Sequence, residues 1–132
     1  DFVVNWQSVA RVPLFARLDA SAIASVTQLL KPRSVSANQV IVRRGDVGDS
    51  MYFIMEGEVE VDITPNPVRL KQGDFFGEIA LVENVPRTAT ILSLTNCRLL
   101  VLETVDFERL TTQIPDLKDQ IKRISDKRLS ER

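Results

Sequence analysis

From Val35 onward apolar residues tend to recur at every second position, whereas before Val35 they recur at helical spacing. Turn residues interrupt the new pattern at regular intervals. Glycine, proline, asparagine and aspartate recur about every 8 to 12 residues. This spacing predicts a small antiparallel sandwich or barrel. The predicted strands are short runs of apolar and β-branched residues at 40–42, 51–55, 59–63, 88–94 and 97–102.

Helical patterns precede the strands. A short amphipathic helix is predicted at residues 1–10, with apolar positions Phe2, Trp6, Val9 and Ala10. A second helix, capped by Asp19 or Ser21, is predicted to end at Pro32. Its buried face would carry Ile23, Val26 and Leu30.

Two more helices are predicted after the strands. Val105, Phe107 and Leu110 indicate a short helix that ends before Pro115, and Pro115 suits the start of the last one. In the last helix an apolar stripe through Leu117, Ile121 and Ile124 reaches Arg128. Two interpretations of Arg128 stay open: the apolar face ends and the cation is solvated, or this face covers something polar.

Composition excludes several classes of function. The chain has 132 residues, 44% of them apolar and 27% charged, which is typical of one globular domain. A net charge of −1 gives no footprint for nucleic-acid binding. The absence of histidine argues against most metal sites and against nucleophiles activated by imidazole. The single Cys97 fits a reducing compartment and predicts a buried, inert thiol.

Residues 75–90 carry the strongest candidate for a binding site. Gly77 lets a ligand approach the backbone, and a helical turn at 78–81 would favour an anion at its start. Arg87 could bind phosphate oxygens, whereas the Glu78 carboxylate can accept from a sugar hydroxyl. An anion site beside an acceptor for a sugar hydroxyl indicates a nucleotide ligand with few charges. The structural alternatives are a turn glycine, a helix-capping glutamate and a surface arginine.

Three segments resemble the cyclic-nucleotide-binding domain family in order and spacing. Residues 12–15 with Leu18 resemble its first segment, and residues 45–54 resemble its central hairpin. The run from Phe76 to Leu81, continued at 86–89, resembles its phosphate-binding cassette. Within the hairpin we interpret the pairs Gly45-Asp46 and Gly48-Asp49 as turn chemistry.

The resemblance implies an α+β fold, an antiparallel eight-stranded β-roll (jelly-roll-like) with N-terminal helices and two C-terminal helices. It implies one cyclic-nucleotide-binding domain over residues 1–132. The expected parts are N-terminal helices at 1–31, the β-roll at 33–103 with its cassette at 75–90, and hinge and lid helices at 104–131.

The resemblance also implies a role for each site residue. Glu78 would hold the ribose 2′-hydroxyl, and Arg87 would neutralise the cyclic phosphate. Thr88 would add a hydroxyl, and Arg128 would reach the purine from the closing helix. Backbone N–H groups of Gly77, Ile79 and Ala80 would face the phosphate. Val61, Ile63, Phe75 and Leu81 are candidate apolar walls for base and sugar.

Within the family the chain is most similar to the cytoplasmic domain of bacterial cyclic-nucleotide-gated potassium channels. The resemblance implies a non-enzymatic regulatory module with a cyclic nucleotide as ligand (cAMP favoured, cGMP possible) and no cofactor. A pore domain is expected before Asp1, with no nucleic acid bound and no direct membrane contact. The alternatives are a kinase regulatory domain, a transcription-factor sensor, a metal-dependent jelly-roll enzyme and a ligand-free scaffold.

Overall fold

The computed structural model describes residues 2–131; Asp1, the expected junction with a pore, and Arg132 lie outside them. The strands are β1 Lys31–Val35, β2 Val40–Val42, β3 Ser50–Glu56, β4 Glu58–Asp62, β5 Val68–Lys71, β6 Phe75–Phe76, β7 Thr90–Ser93 and β8 Cys97–Glu103. The helices are α1 Trp6–Ala10, α2 Ala20–Leu29, α3 Glu78–Val82, α4 Thr104–Gln113 and α5 Pro115–Glu131, with a 3-10 turn at Pro13–Phe15.

The eight strands in the described part of the chain form two antiparallel sheets of four. The first has the order β1-β8-β3-β6 and the second the order β2-β7-β4-β5. In the first sheet Tyr52 and Phe53 of β3 pair with Phe76 and Phe75 of β6. The predicted α+β fold with an eight-stranded antiparallel roll is therefore confirmed.

Side chains of β3 alternate between two cores, because successive residues of a strand point to opposite faces. Met51 and Phe53 pack against the helices, together with Phe15. Tyr52 and Ile54 point into the roll between the sheets. Strand β3 is therefore buried on both faces over most of its length, and a side chain such as Tyr52 lies inside the roll.

The N-terminal helix is shorter than predicted. It begins at Trp6, because the Asn5 side chain accepts from the N–H of Ser8 and caps it, so Phe2 precedes the helix. Trp6 is 61% exposed and Val9 is fully buried. Trp6, one of the apolar positions of the predicted helix, is thus largely in solvent, whereas Val9 packs in the core.

The second helix is capped by Asp19, whose carboxylate accepts from the N–H of Ala22 at 2.8 Å. It ends at Leu29, as the position of Pro32 predicts, but Pro32 itself lies inside β1. A proline is tolerated there because β1 is at the edge of its sheet.

The last helix lies across α3 and α4. Leu117 and Ile121 are buried as predicted, and the next fully buried position is Ser125. Ile124 is 37% exposed. The buried stripe of α5 thus follows a spacing of four residues, which takes it towards the N-terminus of α3.

Candidate functional site

The site is built around a sharp change of backbone direction at Gly77, between β6 and α3. Gly77 has a φ of 84°, in the left-handed region that glycine adopts readily. A Cβ at this position would lie 2.8 Å from Nη1 of Arg87 and 3.2 Å from the carbonyl oxygen of Ser50. Any side chain here would displace Arg87. The glycine therefore allows the close approach of Arg87 as well as the turn.

The short helix α3 follows at once and directs its first turn into the roll. Glu78, Ile79 and Ala80 are all buried. The first N–H groups of a helix have no partner within the helix itself, so this turn presents donors to the space beside it. The sequence-predicted turn at 78–81 is thus present, one residue longer, as Glu78–Val82.

Glu78 is 1% exposed, and it is paired across the structure with the last helix. Nη1 of Arg128 donates to Oε1 of Glu78 at 2.6 Å. The Arg128 side chain is 17% exposed, and its guanidinium carbon lies 4.9 Å from the centre of the Phe75 ring. The interpretation of Arg128 as a solvated cation is therefore wrong. This face of α5 covers a buried carboxylate.

Arg87 is buried too, at 5% exposure, although a lone arginine is normally at the surface. Its Nη1 donates to the carbonyl of Gly77 at 3.1 Å, and its Nη2 lies 3.4 Å from Oγ of Ser50 and 3.6 Å from Oδ1 of Asp49. Contacts with Gly77 of the cassette and with Ser50 at the start of β3 thus hold the guanidinium in place.

The loop before β3 fixes the backbone of Arg87. The N–H of Arg87 donates to the carbonyl of Asp46, and the N–H of Gly45 donates to the carbonyl of Arg87. A Cβ at Gly48 would lie only 2.2 Å from Cβ of Ala80. These residues were interpreted as turn chemistry alone. The structure shows that they also pack against the cassette.

Glu78, Arg87 and Arg128 surround one small cavity of about 20 Å³ between the sheets. This is room for about one water molecule, far less than a nucleotide requires. With α5 in this position the cavity is too narrow for a nucleotide, although the exposed Thr88 lies at its edge. Its lining residues are Val42, Val61, Phe76, Gly77, Glu78, Ile79, Ala80, Arg87, Thr88, Ala89, Ile91 and Arg128.

The structure places the predicted apolar walls in different surroundings. Val61 lines the cavity, whereas Phe75 lies beneath Arg128 and faces an outer depression of about 320 Å³. Ile63 packs at the edge of the roll core, and Leu81 packs against the helix-side core. Phe76 lines the cavity because adjacent strand residues point to opposite faces.

Thr88 lines the cavity mouth and is exposed, and it precedes β7, which begins at Thr90. Cys97 is buried as predicted, at 2% exposure. Its thiol lies 3.6 Å from the carbonyl oxygen of Glu58, within the turn region at the far end of the roll. It contributes to packing there and takes no part in the cavity lining.

Among residues 2–131, no three side chains of histidine, cysteine, aspartate or glutamate form a group that could hold a metal ion. Over the same residues no helix combines the length and hydropathy that crossing a membrane requires.

Comparison with known families gives the decisive match. The family described as "Cyclic nucleotide-binding domain" matches residues 32–113. This range contains α3, α4 and the eight described strands, apart from Lys31 at the start of β1. The chain belongs to this family. Arg128 and α5 lie beyond the matched residues.

Curated relatives from bacteria are channels. The chain is 46% identical over 123 residues to a cyclic nucleotide-gated potassium channel of Rhizobium etli, covering 93% of the chain and 35% of the relative. It is 45% identical over 119 residues to a cyclic nucleotide-gated potassium channel of Mesorhizobium japonicum, covering 90% and 33%. The chain thus spans about a third of the length of these relatives.

Solved structures share the fold. The cyclic AMP-bound regulatory domain of Toxoplasma gondii PKA superimposes with a TM-score of 0.81 at 25% identity, covering 92% of this chain and 48% of that chain. A second PKA regulatory cyclic-nucleotide-binding domain, bound to Sp-2Cl-cAMPS, gives a TM-score of 0.81 at 27% identity, covering 94% and 86%.

Proposed function

We propose that the chain is a regulatory module that binds a 3′,5′-cyclic nucleotide, with cyclic AMP favoured and cyclic GMP possible. One observation carries the proposal: Arg87 and Glu78, buried charges of opposite sign, lie on the same small cavity. A cyclic nucleotide has one negative charge and a free ribose 2′-hydroxyl, which these two groups complement. The ligands of the two PKA structures, cyclic AMP and Sp-2Cl-cAMPS, support the same chemistry.

The phosphate would bind at the start of α3. N–H groups of Gly77, Ile79 and Ala80 would donate to its oxygens, and Arg87 would neutralise its charge. Thr88 would add a hydroxyl from the exposed side of the cavity. Because Asp49 and Glu78 are nearby anions, a non-cyclic monophosphate with two charges is disfavoured.

The ribose would bind at Glu78, whose carboxylate accepts from the 2′-hydroxyl. In the structure Arg128 already donates to that carboxylate, and the cavity is too small for a nucleotide. Helix α5 must therefore move away to admit the ligand. On its return Arg128 would lie over the purine, with Phe75 behind it, and Val61 would contact the base or sugar from inside the roll.

This movement provides a route for regulation. A ligand shifts an attached effector only if it binds one conformation of the protein better than another. Contacts of the bound nucleotide with α5 would supply that difference. Ile63 and Leu81 remain weaker candidates for the apolar wall, because they pack beside the site and not on the cavity.

The attached effector is proposed to be a potassium channel pore that precedes this domain in the full-length protein. Support comes from identity of about 45% to bacterial channels, against 25% to 27% for the PKA regulatory domains. The domain itself would lie at the cytoplasmic face and act without catalysis. A kinase-regulatory or transcription-factor sensor remains the alternative, since the same pocket would serve it.

Calorimetric titration with cyclic AMP, cyclic GMP and AMP tests the proposal. We expect one-to-one binding of a cyclic form and little binding of AMP. Arg87→Leu should weaken binding at least 100-fold, because a charged hydrogen-bonding partner of the phosphate is lost, worth about 3 kcal/mol. Arg109→Leu, at an exposed arginine of α4, is the matched control. Unchanged affinity in Arg87→Leu would disprove the phosphate assignment.

A further inference from the structure

Tyr52, the single tyrosine of the chain, lies directly behind Arg87. It is 6% exposed, and its ring is stacked on Phe76 with centroids 4.9 Å apart and an interplanar angle of 13°. The guanidinium carbon of Arg87 lies 5.9 Å from the ring centre on one side, and that of Arg33 lies 5.9 Å from it as well. Two cations thus share one buried aromatic side chain.

The hydroxyl of Tyr52 joins these two cations through Ser50. Nη1 of Arg33 lies 3.4 Å from the tyrosine oxygen, and Oγ of Ser50 lies 3.3 Å from it. Ser50 in turn is 3.1 Å from Oδ1 of Asp49 and 3.4 Å from Nη2 of Arg87. The chain of contacts runs from the edge strand β1 to the proposed phosphate arginine.

The order of donors and acceptors in this chain is set by its charged members. Arg33 and Arg87 can only donate, and the carboxylate of Asp49 can only accept. Ser50 accepts from Arg87 and has Asp49 and Tyr52 as acceptors for its single proton; when that proton goes to Asp49, Tyr52 accepts from Arg33 and donates to Ser50. Every hydroxyl proton then has a place, and the Ser50 oxygen is aimed at Arg87.

The stacked ring supports the other side of the same guanidinium. Phe76 is held against Tyr52, and the next residue, Gly77, accepts from Nη1 of Arg87. Tyr52 thus contacts the supports of both terminal nitrogens of the Arg87 guanidinium. Ser50 lies beside Nη2, and Phe76 precedes Gly77, whose carbonyl accepts from Nη1. This leaves the remaining N–H groups of Arg87 for a ligand.

We propose that Tyr52, through Ser50, is a positioning residue for the phosphate-binding Arg87, and that Arg33 orients its hydroxyl. The inference rests on the proposed function, since it assigns how the phosphate arginine is held. Neither Tyr52 nor Ser50 lines the cavity, so their effect on a ligand is indirect, and the test must separate a route through Arg87 from one through Phe76.

The test is a double-mutant cycle measured by calorimetric titration with cyclic AMP. Tyr52→Phe and Ser50→Ala should each weaken binding about three- to tenfold, the effect of losing one hydrogen bond in the support of a charged group. In an Arg87→Lys background, which keeps the charge but loses the planar fork, the loss caused by Tyr52→Phe should largely disappear. A merely structural role of the hydroxyl would persist in that background.

A control variant removes a hydroxyl elsewhere. Thr27 in α2 donates to the carbonyl of Ile23 at 2.7 Å, so Thr27→Val should change thermal stability without changing affinity. If the unaltered protein binds cyclic AMP and Tyr52→Phe binds it equally well, the positioning role is disproved. An equal loss with and without Arg87→Lys disproves it too. Failure of the unaltered protein to bind would instead overturn the proposed function.

Discussion

Replacing Arg128 by methionine should release the end of the last helix. Methionine keeps much of the apolar stem and removes the guanidinium that donates to Glu78 at 2.6 Å. Glu78 is 1% exposed, so its charge cannot regain water without a movement of α5 or α3. Removing one partner of a buried ion pair costs about 3 kcal/mol. The cost arises from desolvation of the carboxylate and not from lost packing.

The position of Arg128 along α5 decides where this cost appears. Every described residue of α5 after Ser125, apart from Arg128, is exposed. The last turn of the helix is therefore held mainly by the ion pair, while Leu117 and Ile121 hold the first turns. Local opening of residues 126–131 relieves the buried charge without unfolding the roll.

Hydrogen exchange measured by mass spectrometry can separate local from global effects. We expect the amides near the end of α5 to exchange roughly 100-fold faster in Arg128→Met, the equivalent of about 3 kcal/mol. If the helix cannot open alone, the melting temperature should instead fall by roughly 10 °C. Arg123→Met, at an exposed arginine of the same helix, is the matched control and should change neither quantity appreciably.

Replacing Glu78 and replacing Arg128 should lower the free energy of unfolding by different amounts. Glu78→Gln leaves Arg128, which is 17% exposed and can turn towards water, so it should destabilise less than Arg128→Met. The double variant should recover part of the loss, because no buried carboxylate remains. The reasoning is refuted if Arg128→Met behaves like Arg123→Met, or if the double variant is as unstable as Arg128→Met alone.

Three further predictions use stability measurements. Within residues 2–131 the buried hydroxyl of Ser125 has no hydrogen-bond partner, so Ser125→Ala should stabilise the protein by about 1 kcal/mol in urea titrations. Gly48→Ala should destabilise it by about 1–3 kcal/mol, since the new Cβ would lie 2.2 Å from that of Ala80; adding Ala80→Gly should restore part of the loss, and no restoration would contradict the contact. The hydrogen bond to Glu103 raises the pKa of Lys31 above its ordinary value of 10.5. A raised pKa in the folded state stabilises below the pKa of the unfolded chain and loses its effect as pH rises through the folded value. Lys31→Met should therefore be slightly less stable than the unaltered protein at neutral pH, and the difference should vanish in strongly alkaline solution.

Sequence periodicity was sufficient for five of the eight described strands, because burial imposes a pattern on them, but it did not show β1 and β5, which contain no buried residue, or the two-residue β6. The runs at 40–42 and 97–102 coincide with β2 and most of β8. It was insufficient at Trp6, where a helical spacing appears apolar although the side chain is 61% exposed. Amphipathic spacing shows which residues share a face of a helix, but only tertiary packing shows whether that face is covered.

The cassette was recognisable because Gly77, Glu78 and Arg87 are close in sequence. The groups behind it were not recognisable, since Ser50 and Tyr52 approach Arg87 only in the folded roll, where β3 pairs with β6 and the loop before β3 is bonded to Arg87. Nor could the pairing of Arg128 with Glu78, which are 50 residues apart, be derived from helical periodicity. Such contacts depend on register and on the crossing of elements, which local patterns do not encode.

The narrowness of the cavity, about 20 Å³, has a kinetic consequence. If, as proposed, a nucleotide enters this cavity only after α5 has moved, the apparent dissociation constant is the intrinsic one divided by the fraction of open molecules. If opening costs a few kcal/mol, as is common for minor conformations, about 0.1–10% of the molecules are competent at any moment. The observed association rate should then stop rising at high nucleotide concentration, at a plateau equal to the opening rate of the helix. Loosening α5 would raise that plateau.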